Sequence, residues 1–204
     1  MALWIGLFSV LLALISYSIY FRDIFRGKTK PHALTWLIWA VLNGCIFVQQ
    51  FTHDGGPGAW VTGVAAFANI IIFGLSFKYG ERNITRLDWL CLAVAMIVMG
   101  LWLQRVSDEL TVILACAIFI VGFIPTLRKS YGKPREETIV TFGLNSVKFF
   151  LALLALHSLT LITALYPVVL GIVNGYFVIF LIVRGKIKHN KKRRTYHVHA
   201  HSPR

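Results

Sequence analysis

Seven apolar stretches, each long enough to cross roughly 30 Å of hydrocarbon at about 1.5 Å per residue, leave this chain few choices of fold. They lie near residues 2–21, 33–51, 58–78, 87–104, 109–127, 137–156 and 160–183. The stretches are continuous rather than alternating, which excludes barrel strands. With 57% hydrophobic and 14% charged residues in 204, a soluble core could not hide them. The expected fold is an all-α membrane protein with seven transmembrane helices. The first stretch reads as a span rather than a cleaved signal, because no basic residue precedes Arg22 and its apolar run exceeds an ordinary h-region.

A net charge of +13 raises the question of nucleic acid, but placement answers it differently. Nineteen of the 21 Lys and Arg fall at 22–30, 78–86, 128–135 and after Val183, the ends that alternating helices put on one side. The other side keeps Arg105, with Asp54, Asp108 and Glu109. The positive-inside bias then puts the amino terminus outside and the carboxyl terminus in the cytoplasm of a multi-pass plasma (inner) membrane protein, with no nucleic-acid partner. The tail 186–204 is expected to be unstructured and to lie on anionic lipid headgroups. Its His197, His199 and His201 alternate as metal ligands can, but lack a second ligand cluster. Cys45, Cys91 and Cys116 sit singly inside spans, with neither disulfide nor metal spacing, and read as small packing residues. His53-Asp54 belongs to the breaker cluster at 53–58 and reads as a capped turn. No nucleophile–base set or metal-ligand set occurs in any span, so neither an enzyme nor a cofactor is expected.

The chain also repeats itself. Slid by 105 positions without a gap, Ile15 falls on Ile120, Ile19 on Ile124, Gly27-Lys28 on Gly132-Lys133, Asn69 on Asn174 and Gly80 on Gly185. The sequence therefore divides into a three-helix repeat at 1–80, a linker helix at 81–105 and a second three-helix repeat at 106–185. Three spans per copy would leave the second copy inverted. The single linker span restores it, so two parallel three-helix bundles are expected in a 3+1+3 layout.

Candidate functional residues are those a bilayer should reject. Lys148 lies near the middle of its span, where a lysine costs about 2.5–3.5 kcal/mol, and should face protein or trapped water. The slide pairs it with Asn43. Asn69 lies nine residues from Lys78, roughly 13 Å from the basic end at helical rise, and Asn43 lies at nearly that depth. Parallel copies bring Asn43, Asn69, Lys148 and Asn174 to one level, with Asn145 on the helix of Lys148. Amides suit hydroxyl-rich or zwitterionic solutes, and an ammonium suits a carboxylate or phosphate. Trp36 and Trp39 share a face with Asn43 and can supply a stacking wall. The plainer alternative is that asparagines glue neighbouring helices and tryptophans anchor at the interface. Pro125, one turn inside the basic end of the fifth span, is a candidate hinge. With no Asp or Glu in the central part of any span, passive facilitation is expected over ion coupling.

This 3+1+3 layout resembles the SWEET and PQ-loop transporters over residues 10–185. Gly122-Phe123-Ile124-Pro125-Thr126-Leu127 followed by Lys129 looks like a PQ-loop with Thr126 in place of glutamine. The resemblance implies that Asn69 and Asn174, on the third helix of each copy, line a solute pocket. Aromatics of the second helix would cap it, as Trp36 and Trp39 do in one copy, with Thr141 and Leu144 standing in the other. Tyr20-Phe21 replaces the expected Pro-Gln of the first copy. The nicotinamide riboside carriers share the layout and are a second resemblance, hinted at by Trp36-x-x-Trp39. The implied function is passage of a small polar or anionic metabolite by a carrier that works alone or as a homo-oligomer. The alternative is a receptor or assembly factor of the same fold that moves nothing.

Overall fold

The computed structural model describes the backbone of residues 1–104 and 107–200, and the side chains of residues 1–97, 99, 100, 103, 104 and 107–188. The described residues form seven α-helices: α1 (Ala2–Phe25), α2 (Ala33–Thr52), α3 (Trp60–Tyr79), α4 (Arg86–Leu103), α5 (Asp108–Gly132), α6 (Ile139–Leu154) and α7 (Leu161–Ala200). Single 3-10 turns at Gly56–Ala59 and Pro134–Glu136 precede α3 and α6. Among the described residues there is no strand. The backbone of α7 is helical as far as Ala200. The tail side chains, including His197 and His199, lie outside the described residues, as do Arg105 and His201.

Among the described residues, five stretches are long and apolar enough to cross a membrane: Ala2–Phe25, Ala33–Thr52, Gly56–Tyr79, Asp108–Gly132 and Leu161–Lys188. Their outer faces stay apolar. On α1 alone Leu3, Trp4, Leu7, Phe8, Leu11, Leu14 and Ile15 are exposed. A surface of that kind needs lipid rather than water, and the architecture is that of a multi-pass membrane protein.

Local chemistry sets the helix ends. Pro31 precedes an extended His32, from which α2 starts. The turn into α3 needs left-handed backbone at Asp54 (φ 53°) and Gly56 (φ 55°). At Gly56 a side chain would also collide with the His157 ring, 2.5 Å from where its Cβ would sit. Ser107 caps α5 by accepting the Leu110 amide at 3.1 Å, and Asp108 and Glu109 in the first turn complement the helix dipole. The helix runs on through a buried Pro125 to Gly132.

The packing has a pattern of its own. α3 packs on both α1 and α2, and α7 packs on both α5 and α6. Across the middle, α1 meets α6 and α5 meets α2. Exchanging α1 with α5, α2 with α6 and α3 with α7 returns the same set of neighbours. α4 lies outside this scheme, mainly against α5. The α1–α6 seam is polar: Ser16 Oγ donates to the Thr141 carbonyl and Thr141 Oγ1 to the Ser16 carbonyl, each at 3.1 Å. Paired hydroxyls of this kind hold helices together where there is no hydrophobic drive to do so.

Candidate functional site

Where α1–α3 meet α5–α7, a small cavity of about 20 Å³ is lined by Trp36, Trp39, Asn43, Asn69, Asn145 and Asn174, together with Tyr17, Ala65, Phe119, Phe149 and Leu170. Six of the seven candidate binding residues are thus brought together, with one asparagine each from α2, α3, α6 and α7. The space holds about one water, which needs roughly 10–15 Å³. Asn43 and Asn174 each donate their Nδ2 to the carbonyl four residues back, Trp39 and Leu170 respectively, both at 2.8 Å. This common bond fixes both amides along their helices. Ser16 Oγ reaches Asn145 Oδ1 at 3.2 Å. Asn43 Oδ1 and Asn69 Oδ1 are buried without a hydrogen-bond partner among the described residues. A buried acceptor left so costs about 1–3 kcal/mol, so a donor-bearing guest is favoured here.

Lys148 is the seventh candidate, and it does not line the cavity. Its fully buried ammonium lies 4.1 Å from the ring centre of Tyr17 and 5.1 Å from that of Phe149, and both rings are cavity walls. It has no hydrogen-bond partner among the described residues. The reason is register. α2 begins at Ala33 and α6 at Ile139, which is 106 residues apart rather than the 105 of the slide. One residue turns a helix by about 100°. At that spacing Asn43 falls on Phe149 and Trp39 on Asn145, and all four line the cavity.

Beneath the cavity, toward the basic end, lies a plug of buried rings. Trp39 stacks on Phe119 at 5.1 Å and donates its indole N–H to the Phe119 carbonyl at 3.3 Å. Trp36 lies against Tyr20 at 4.9 Å, and Phe142 against Phe177 at 4.6 Å.

Below the plug is a layer of ion pairs that sequence reasoning missed. The buried Lys129 ammonium donates to the Lys30 carbonyl at 2.6 Å, to the Glu136 carbonyl at 3.2 Å and to the Glu137 carboxylate. Its three donors meet three acceptors, one from the α1–α2 connection and two from the α5–α6 connection. Glu137 also accepts from Tyr20 OH at 3.1 Å, tying the layer to the plug. Burial pushes the Glu137 carboxyl above its ordinary range, against the opposing pull of Lys129. Around this centre, Lys30 pairs with Glu136 at 3.1 Å, Thr29 Oγ1 meets Thr138 Oγ1 at 2.5 Å, and Arg128 grips Asp88 with two nitrogens at 3.1 and 2.6 Å. The available signal was that five of the eight acids, Asp23, Glu81, Asp88, Glu136 and Glu137, sit among the basic clusters.

Glu81 gives this layer a pH signature. Burial raises its carboxyl, but the 2.7 Å hydrogen bond from Lys133, the Asn83 amide and the charges of Lys133 and Lys129 together hold it below its ordinary 4.5. A depressed carboxyl pKa adds stability above the unfolded value, and that stability is lost as pH falls below about 4.5. Glu81→Gln should lower the thermal midpoint in detergent at about pH 7 and flatten its fall below about pH 4.5.

The opposite end is closed more lightly. Gln49 Nε2 donates to the Asp108 carbonyl at 3.0 Å and Gln50 Nε2 to the Thr163 carbonyl at 2.9 Å. Gly58 donates its amide to the Ala155 carbonyl at 3.1 Å, which seats the 3-10 turn on the end of α6. His53 and Asp108 pair at 3.0 Å at the surface. Among the described residues there is no group of three or more His, Cys, Asp or Glu arranged to hold a metal.

No protein-family model, no curated protein and no solved structure matches this chain.

Proposed function

We propose that the protein is a seven-span carrier of the plasma (inner) membrane, amino terminus outside, that passes a small polar or anionic solute through the asparagine-lined cavity. Two halves, α1–α3 and α5–α7, lie parallel and rock about that cavity, with α4 as the linker. The single observation that carries this reading is the meeting of four asparagines, one from the second and third helix of each half, around one buried space. The exchange-symmetric packing supports it, as does the closure of both ends by separate sets of contacts. The layout is also that of the SWEET and PQ-loop transporters, which the sequence resembles. Transport is passive in this account. The buried Glu137 carboxylate, which accepts from Tyr20, is already occupied by Lys129.

Two acceptor oxygens without partners favour a guest rich in hydroxyl or ammonium donors. Lys148 stands behind the Tyr17 and Phe149 walls, and in its protonated form it favours a carboxylate or phosphate on the same guest. Purified protein in vesicles, screened against sugars, polyols, betaines and small carboxylates by light scattering, should admit at least one of these classes faster than protein-free vesicles do. Equal rates for every class would refute transport.

Lys148→Met separates stability from function. Contact with an aromatic face is worth about 2 kcal/mol when desolvated, against a desolvation penalty of several kcal/mol for the ammonium. The Met variant should therefore melt higher than the native protein while passing carboxylates more slowly. A lower melting midpoint would mean that Lys148 is a structural partner.

A further inference from the structure

At the basic end, outside the ion-pair layer, a crevice of about 730 Å³ opens between the α1–α2 connection, the start of α6 and the middle of α7. Its two kinds of wall differ sharply. Ile139, Val140, Leu181 and Ile182 form one, and all except Leu181 are exposed. Lys28, Arg135 and Lys186 stand around the other.

Two of these charges, Lys28 and Lys186, are unlike their neighbours. Lys30, Arg128, Lys129 and Lys133 are taken up by Glu136, Asp88, Glu137 and Glu81. Lys28 and Lys186 have no ion-pair partner among the described residues. The two acids on the crevice wall are already engaged. Asp23 pairs with Arg22 and accepts from Thr138 Oγ1 at 3.1 Å, and Glu137 is held by Lys129 and Tyr20. The crevice therefore presents positive charge beside an exposed apolar wall, at the level where a span leaves the membrane. Thr138, the residue before α6, has no side-chain cap bond, so the amides of that first turn add to the attraction for an anion.

We propose that this crevice is a specific site for an anionic phospholipid, with its headgroup phosphate between Lys28 and Lys186 and the start of an acyl chain along Val140 and Ile182. A free phosphate would leave the apolar wall unused, and the volume exceeds what it needs. Because Thr29, Thr138 and Glu137 also line the crevice, a lipid seated there touches the same connections that Lys129 fastens together. The site stands on its own walls and does not depend on what the central cavity carries.

The test uses the full chain in neutral detergent with a phosphatidylglycerol bearing a photoreactive acyl chain, followed by peptide mapping. The native protein should crosslink at the stretch containing Val140 or Ile182. Phosphatidylcholine with the same chain should label at least tenfold less, and excess inorganic phosphate should not compete. Lys28→Gln/Lys186→Gln, two exposed positions, should keep the native melting midpoint and lose crosslinking there at least tenfold. The basic residues from Lys188 onward are unchanged in that variant, so diffuse attraction to them serves as the internal control. Equal labelling by the two lipids, full competition by phosphate, or undiminished labelling of the double variant would each overturn the site.

Discussion

Lys129→Met should lower the unfolding free energy by about 3–5 kcal/mol, the cost of leaving one member of a buried ion pair without the other. Lys129 and Glu137 are each only 1% exposed at the side chain, so water cannot substitute for the lost partner. The variant strands the Glu137 carboxylate with Tyr20 OH alone and releases the Lys30 carbonyl, while the Glu136 carbonyl keeps only the Lys30 amide at 3.2 Å. Glu137→Gln should cost less, because the amide still accepts from Tyr20 and the ammonium keeps two carbonyls. The double variant Lys129→Met/Glu137→Gln should recover part of the loss, giving a coupling of the kind that neighbouring residues show. Thermal or denaturant unfolding in detergent measures all three. Because Lys129 fastens the α1–α2 connection to the α5–α6 connection, its loss should also bias the protein toward opening at the basic end. Additive single and double effects would mean that the pair is not a unit.

Asn69→Ala/Asn174→Ala should reduce flux of the transported solute at least tenfold while leaving the protein inserted and folded. Asn69 has a partnerless carbonyl oxygen at the cavity, and Asn174 is anchored through Nδ2, so its oxygen remains to be offered to a guest. A site built to hydrogen-bond its guest loses affinity steeply when those groups are removed. If the asparagines only glued helices, each substitution would cost about 0.6 kcal/mol of stability and leave flux unchanged. Flux and melting midpoint measured on the same preparation separate the two cases, since they move in opposite combinations.

Much of the fold was legible in the sequence. Apolar runs bounded by Pro31, the 53–58 turn and the basic clusters place α2 within one residue of where it lies and α3 within two. Continuous hydrophobicity is a strong signal because lipid tolerates nothing else over that length. The asparagines of the cavity were legible for the same reason, as residues expensive to bury. Three things were not. Tyr17 and Phe149 line the cavity, but an aromatic inside an apolar helix carries no mark that separates a wall from packing. That Lys148 stands behind the Tyr17 and Phe149 walls rather than at the cavity itself carries no mark in the sequence either. The ion-pair layer was read as simple charge bias. Its partners, such as Lys30 with Glu136 or Tyr20 with Glu137, lie more than a hundred positions apart, and only the folded chain brings them together.

The central claim is that the buried cavity opens in turn to each side of the membrane. Ala65 lines it and is 1% exposed, and Cys there adds little more than a sulfur atom. In a chain whose Cys45, Cys91 and Cys116 are replaced by Ala, Ala65→Cys should react with a membrane-impermeant thiosulfonate applied to either face of sealed, oriented vesicles. Reaction from only one face, or from neither over hours, would contradict alternating access.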